Sequence, residues 1–438
     1  MATVRRVKAA SSASVGASDK SSAAIPAKRR GRRIAIAGGG IVGATLALAL
    51  ARACPNGLEV VLCDPAIDAV RADDQRAYAI AAAARRMLET LGVWDGIAAH
   101  TQAMRDMVIT DSHLLDPVRP AFLTFNGEID DGEAFAHMVE GKALGDALLA
   151  ACREAGVDVR STGVKRFAAD EFGGIAHLMD GSSLQVELMV AADGARSRLR
   201  EAAGIGWVGW SYPQSGIVAT ISHERDHEGR AIEHFLPSGP FALLPLPPGG
   251  SLGHRSSIVW SERKENVAHV MELHRDDAIE EIERRFGLEL GKIALDTPLR
   301  AFPLSFGIAR DFVGQRLALI GDAAHVIHPI AGQGLNLGLK DVAALAEVIV
   351  DAVRLGMDPG GADVLEDYQR ARRFDTVAMG VVTDGLNRLF SNDITPVRMI
   401  RDLGLGLVDR MNPLKRFFIR EAAGLSRSAP RLLRGERL

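Results

Sequence analysis

Asp322 follows Gly321 and precedes a glycine-rich loop, and its carboxylate is the kind of group that accepts hydrogen bonds from a polyol or ribose-like chain. The loop, His325-Val326-Ile327-His328-Pro329-Ile330-Ala331-Gly332-Gln333-Gly334-Leu335-Asn336, leads to a further glycine at 338. Without a Cβ at 332, 334 and 338, the backbone can come close to a flat or charged ligand. A helix starting there presents unpaired N–H groups and a partial positive charge, suited to negative charge developing on a bound ring. His325 and His328 stand three apart, a loose metal spacing, but no third ligand lies near and loop hydrogen bonding accounts for both. A second run, Gly38-Gly39-Gly40-Ile41-Val42-Gly43, has the form Gly-x-Gly-x-x-Gly, with Asp64 at the end of the next apolar run. That set offers a tight turn, close approach to a pyrophosphate, a helix dipole and a carboxylate for ribose hydroxyls. A third turn, Asp193-Gly194, is followed by Arg196, Arg198 and Arg200, which could meet phosphates.

These groups need strands and helices to hold them, and the pattern supplies candidates. Residues 33–37, 59–63, 188–190 and 316–320 read as short buried strands. Residues 44–53 and 335–353 read as helices, so each glycine turn joins a strand to a helix. The spacing also predicts a long Ala-rich helix opened by Asp74-Gln75-Arg76 and ended at Gly92. Arg76 there could face a pyrophosphate or be a solvated charge at a helix start. Strands are expected at 104–110 and 121–125, and a helix at 141–155 before a strand that returns to the sheet. Between 206 and 309, strands at 217–222, 231–235, 241–246 and 256–260 and a mostly helical 266–286 suggest a lid or substrate platform. The expected organisation is a disordered basic tail over 1–31 and a discontinuous nucleotide-binding domain over 32–105, 136–205 and 310–384. A substrate domain is expected over 106–135 and 206–309, and a C-terminal helical segment over 385–438.

The chain has 438 residues, enough for two domains and a large core. Its net charge of −3 hides an uneven distribution: residues 1–33 carry nine Lys or Arg against Asp19 alone, and 385–438 carry eleven against five acids. Residues 1–31 lack the apolar run of a secretory signal. Their composition suits a basic bacterial tail or a mitochondrial presequence, giving a bacterial cytoplasmic location or the mitochondrial matrix as the alternative. No segment reaches 18 uninterrupted apolar residues, so none is expected to span a membrane. Near the C-terminus, apolar Leu403, Leu405, Leu407, Phe417, Phe418 and Ile419 alternate with Arg401, Arg410, Lys415 and Arg416. Helices there could lie on an anionic membrane surface or simply pack on the nucleotide domain. Cys54, Cys63 and Cys152 are dispersed, as in a reducing compartment. The sequence has no Gly-x-Ser-x-Gly elbow, no His/Glu pair on an expected helix suggests a metal site, and neither a metal nor a nucleic-acid partner is expected.

In order along the chain, Gly38–Gly43, Ala192-Asp193-Gly194-Ala195-Arg196-Ser197 and Gly321-Asp322-Ala323-Ala324-His325 resemble the flavoprotein monooxygenases of the aromatic hydroxylase group. Within that group, the run 325–338 resembles the signature of the ubiquinone-biosynthesis hydroxylases, which act on 2-polyprenylphenols and their methoxylated derivatives. Gly239-Pro240-Phe241-Ala242-Leu243-Leu244-Pro245-Leu246 is similar to their substrate-domain pattern. The resemblance spans roughly residues 32–435. It implies an α/β fold: a Rossmann-type FAD-binding domain with an inserted antiparallel substrate sheet and C-terminal helices.

By position, the resemblance implies that Gly38, Gly40 and Gly43 form the pyrophosphate turn and that Asp64 binds the adenosine ribose. Arg76 matches an arginine near the pyrophosphate, and Asp193 and Gly194 serve both FAD and NAD(P)H. Gly321 and Asp322 hold the ribitol chain. Pro329 sits beside the reactive edge of the flavin, and the backbone of Gly332, Gly334, Leu335 and Asn336 faces its pyrimidine side. The chain departs from the pattern at Gly141 and Lys142, where relatives carry Asn or Gln and then Arg. The implied reaction uses NADPH or NADH to reduce FAD, and O2 to form a flavin C4a-hydroperoxide whose distal oxygen is attacked by an electron-rich polyprenylphenol. The site must then exclude water. Implied partners are the membrane surface and other ubiquinone-biosynthesis enzymes. Two other readings share the motifs: a flavoenzyme for a soluble aromatic or isoprenoid, and a flavin-binding scaffold without turnover.

Overall fold

Apolar runs too short to be helices find their place side by side in the computed structural model. It describes residues 32–68, 76–111, 121–126, 129, 132–328, 332–390, 423–425 and 429–438. With strands and helices numbered along the chain, a six-stranded sheet has the order β19 (Val313–Gly314), β20 (Leu317–Leu319), β12 (Leu188–Ala191), β1 (Arg32–Ala37), β2 (Leu58–Cys63), β8 (Asp158–Arg160). All its pairings are parallel except β19 with β20. β12 and β20 are buried throughout, and β1 over its last four residues, which is why they lack a polar alternation. α1 (Ile41–Ala53) packs on α8 (Gln333–Arg354) and on α4 (Gly141–Glu154). Gly338 makes the α1–α8 crossing possible, since a Cβ there would stand 2.9 Å from Val42 Cγ2.

A nine-stranded sheet has the order β21 (His325–Val326), β18 (Arg300–Ala309), β13 (Trp207–His223), β16 (His254–Arg263), β15 (Gly239–Leu246), β14 (Arg230–Leu236), β5 (Asp106–Asp111), β6 (Ala121–Asn126), with β17 (Ile293–Leu295) also on β13. It is antiparallel except where β5 joins β14 in parallel. The strands alternate cleanly. Ile217, Ile258, Trp260, Phe241, Leu243 and Ile232 form a core with residues of α6 (Lys264–Glu272) and α7 (Arg275–Phe286). Their neighbours in sequence turn to the opposite face. β11 (Ser183–Val186), β10 (Gly174–Leu178) and β9 (Val164–Ala169) make a small antiparallel sheet. β3 (Ala77–Ala81), β7 (Ala136–Glu140) and β4 (Thr101–Met104) make another.

The Ala-rich stretch departs from expectation. Residues 77–81 are strand β3, paired antiparallel with β7, and helix α2 starts only at Ala82 and runs to Thr90, ahead of the short α3 (Trp94–Ile97). Arg76 therefore leads into a strand. Alanine favours helix on its own, but tertiary pairing overrides so weak a preference. Asp74 and Gln75 lie outside the described residues. A five-residue helix, α5 (Arg198–Ala202), follows the Asp193-Gly194 turn, and α9 (Ala362–Phe390) runs past the boundary expected at 384. The basic tail and the amphipathic stretch 403–419 lie outside the described residues, as does Pro329. Among the described residues, no helix is long and apolar enough to cross a membrane.

Candidate active site

Two hollows meet behind the glycine turns. The first is a long cleft of about 670 Å³ lined by Gly40, Asp64, Gly194, Gly321, Asp322 and Gly334, among others. Gly38 has φ +113° and its N–H donates to the carbonyl of Cys63 (2.8 Å), while a Cβ on it would meet the carbonyl oxygen of Ala192. A Cβ on Gly43 would stand 1.9 Å from the carbonyl oxygen of Gly38, so α1 presses on its own turn. Gly40, Gly194 and Gly334 differ: a Cβ at each would meet no protein atom within 4 Å. These three leave open a cradle that side chains would fill, and all three line the cleft. Neither α1 nor α8 has a side-chain cap at its N-terminus, so both ends keep N–H groups for an anionic ligand. Asp64 accepts from the N–H of Gly39 (2.6 Å) and of Ala66 (2.7 Å), which orients its carboxylate along the cleft wall and leaves lone pairs for hydroxyls.

Asp193 is placed differently from Gly194. Its Oδ2 accepts from the N–H of Arg198 (3.0 Å) and Leu199 (3.4 Å), so it caps α5 while Gly194 faces the cleft. Arg200 turns inward, donating to the carbonyls of Ala323 and Ala195 (3.0 Å each) and stacking over Trp207. Gly141 also lines the cleft. A Cβ there would stand 2.7 Å from the Tyr78 ring and 2.9 Å from the Arg76 carbonyl oxygen, so Tyr78 occupies the room that a larger residue would need. Lys142, which lines the cleft as well, pairs with Asp146 (2.6 Å).

The loop after β20 is anchored by a buried ionic cluster. Asp341 on α8 accepts from the Gly321 N–H (2.9 Å) and from Arg372 Nε (2.8 Å), and lies 2.6 Å from His325 Nε2. Burial pushes the Asp341 carboxyl up, but His325 and Arg372 outweigh it and hold it below the usual range. His325 is thus hydrogen-bonded as expected, whereas both ring nitrogens of buried His328 lack a partner among the described residues. Asp322 reaches solvent through the open cleft, yet the surrounding protein removes enough water to raise its pKa, against the pull of His325 and Arg76. Replacing it by Ala should weaken FAD binding roughly 10- to 100-fold, the scale of a charged hydrogen bond, as read by titrating the apoprotein with FAD. Unchanged affinity would remove Asp322 from the site.

Gly332 caps α8 in the left-handed region (φ +64°), and a Cβ there would stand 3.2 Å from that of Ala79. The side-chain amide of Asn336 donates to the Ala79 carbonyl (2.8 Å) and accepts from the Ala81 N–H (2.9 Å). Asn336 therefore fastens β3 to α8 and positions the wall without offering its amide to a ligand. That wall includes Arg76, Tyr78, Phe302, Gly334 and Leu335, which line both the cleft and a second, apolar cavity of about 350 Å³. Among the described residues, no cluster of His, Cys, Asp or Glu could hold a metal ion.

The model of the FAD-binding domain family matches residues 32–383. Ubiquinone hydroxylase UbiL of Rhodospirillum rubrum is 43% identical over 413 residues, covering 92% of each chain. The chain belongs to this family of FAD-dependent hydroxylases. The 3-demethoxyubiquinol 3-hydroxylase of Escherichia coli is 35% identical over 401 residues, 90% of this chain and 98% of that one. Among solved structures, p-nitrophenol 4-monooxygenase PnpA from Pseudomonas putida superposes with a TM-score of 0.71 over 90% of this chain and 98% of its own. At 19% identity that match speaks to the fold alone, the aromatic-hydroxylase fold.

The hydroxylase's open glycines and uncapped helix ends fit FAD. Gly334→Val should lower the reduction potential of bound FAD, because a branched side chain would push the α8 N–H groups away from a ring that becomes negative on reduction. Spectroelectrochemistry giving the wild-type potential would place the flavin elsewhere. Asp341 and Arg372 escaped the sequence reading, since nothing local links residues 31 apart.

Proposed function

We propose that the protein hydroxylates the aromatic ring of a polyprenylated phenol on the route to ubiquinone, using FAD, O2 and NADPH or NADH. The observation that carries this reading is the apolar cavity behind the Gly334–Leu335 wall. Its lining includes Met104, Met107, Phe135, Leu244, Leu304 and Ile327, which suit a phenol ring and the first isoprenoid units. A soluble aromatic acid would need a counter-cation, and Arg76, at the junction with the cleft, is the only Lys or Arg among the described lining residues. Bound FAD would bring the reducing equivalents and the activated oxygen. The chain's part is to hold it: Gly38, Gly40 and Gly43 at the pyrophosphate, Asp64 at the adenosine ribose, Asp322 at the ribitol. The N-terminus of α8 meets the ring's negative charge, and the apolar lining keeps water away. Pro329 belongs to the same assignment through its place in the loop. An FAD-binding and a substrate domain with the boundaries given above, save that α9 continues past 384 to Phe390, a peripheral membrane position through residues 401–420, and association with other enzymes of the route complete the proposal.

The test is product analysis with a short-chain 2-prenylphenol and a soluble phenol, each with NADH and with NADPH. Coupled hydroxylation of the prenylated compound is expected. Turnover of the soluble phenol alone would favour a different aromatic substrate, and no turnover with either would favour a scaffold.

A further inference from the structure

Glu233 is the only carboxylic acid among the described residues that line the apolar cavity. Its orientation follows from register. On β14 it lies opposite Ala242, which lies opposite Val259, which lies opposite Val218. All three partners line the cavity, so this row crosses the ligand face of the sheet. Of its chain neighbours, Ile232 edges the cavity but also joins the core beneath α6 and α7, and His234 pairs through Nδ1 with Thr110 Oγ1. Glu233 is 3% exposed, and no described residue hydrogen-bonds its carboxyl or forms an ion pair with it. An acid buried without a partner is costly, and such sites are kept where a ligand supplies the missing contact. His328, buried with both ring nitrogens unpartnered, lines the same cavity.

We propose that Glu233 is the group that takes the hydroxyl proton of the phenolic substrate, an inference that rests on the function proposed above. The phenol O–H bond breaks, the proton passes to a carboxylate oxygen of Glu233, and the electron pair stays on the phenol oxygen. Delocalised into the ring, that pair raises the nucleophilicity of the ortho and para carbons, where oxygen is to be accepted. The hydroxylated carbon then gives up its hydrogen as a proton, which leaves in the water formed from the second atom of O2, and as the ring regains aromaticity the first proton returns from Glu233 to the phenol oxygen. Burial raises the Glu233 carboxyl to about 7, which suits a base working near neutrality. The other titratable or charged groups of the lining are Arg76, Tyr78 and His328. Burial lowers His328 to about 4, with Asp384 opposing, so it is the weaker base of the two.

The experiment uses full-length protein with FAD bound, as wild type, Glu233→Gln and Glu233→Leu, with 2-prenylphenol and its methyl ether as probes. Flavin fluorescence reports binding. The wild type should prefer the phenol to the ether roughly tenfold, and Glu233→Leu should lose that preference while keeping its FAD and melting no lower. In Glu233→Gln, single-turnover hydroxylation should fall roughly 100-fold or more and lose its rise through a pH of about 7, while NAD(P)H still reduces FAD at the wild-type rate and the uncoupled turnover releases hydrogen peroxide. Variants that hydroxylate, couple and titrate as wild type does would overturn the assignment and leave the functional reading intact. A wild type that hydroxylates no prenylated phenol would overturn both.

Discussion

Gly43→Ala should purify without FAD and melt well below the wild-type apoprotein, whereas Gly40→Ala should melt as the wild-type apoprotein does and lose only its grip on FAD. The two glycines belong to one motif but face different things. A Cβ on Gly43 would stand 1.9 Å from the Gly38 carbonyl oxygen, and because both are backbone neither can swing aside. α1 would have to lift off its turn. Overpacking of this kind costs about 1–3 kcal/mol, and the rigidity of both partners places this case at the upper end. At Gly40 a Cβ would meet no protein atom within 4 Å, so the only thing for it to strike is what occupies the cleft. Circular-dichroism melting and FAD content, read together, separate the two. Equal FAD affinity in Gly40→Ala and wild type would move the pyrophosphate away from this turn.

Asp341→Ala should be still more damaging. Its carboxylate is fully buried between His325 and Arg372, and its removal leaves the buried Arg372 guanidinium with only the more peripheral Asp375 as an acid partner among the described residues. Breaking a buried pair from one side costs about 3–5 kcal/mol, and here the Gly321 N–H loses its acceptor too. The loop carrying Asp322 should loosen, so FAD should leave at lower urea than from wild type. The pH dependence has a definite direction. The folded carboxyl lies below its unfolded value, so its stabilisation is complete above about pH 4 and fades as pH falls further, through the folded pKa. Wild type and Asp341→Ala should therefore converge in stability only under acid, and a constant difference down to pH 2 would refute the pairing.

Local patterns were readable where local forces decide. β1, the Gly38–Gly43 turn, α1, β2 and Asp64 are contiguous, and each step leaves a mark in composition: an apolar run, glycines, an apolar helix, a carboxylate. α8 was equally plain, with its bounds close to the apolar periodicity. β3 was misread because its strand state comes from β7 and from the amide of Asn336, some 255 residues away in sequence. Asp193 turned out to have a structural task that the sequence did not show: its Oδ2 caps α5, while its Oδ1 is buried without a partner among the described residues. Glu233 gave no signal at all. Its meaning depends on which face of β14 is inward, and strand register is set by partners that the sequence does not name.

The alternation along β13–β16 separates two kinds of selection pressure. Ile217, Ile258, Phe241 and Leu243 hold the sheet to α6 and α7, while Val218, Val259, Ala242 and Leu244 shape the cavity from the other side. Changes confined to the second set can retune which ring substituents fit without unsettling the first. A lineage of hydroxylases could thus diverge in substrate by drifting at every other position of a few strands, and a combinatorial library at those four sites is the natural place to redirect it.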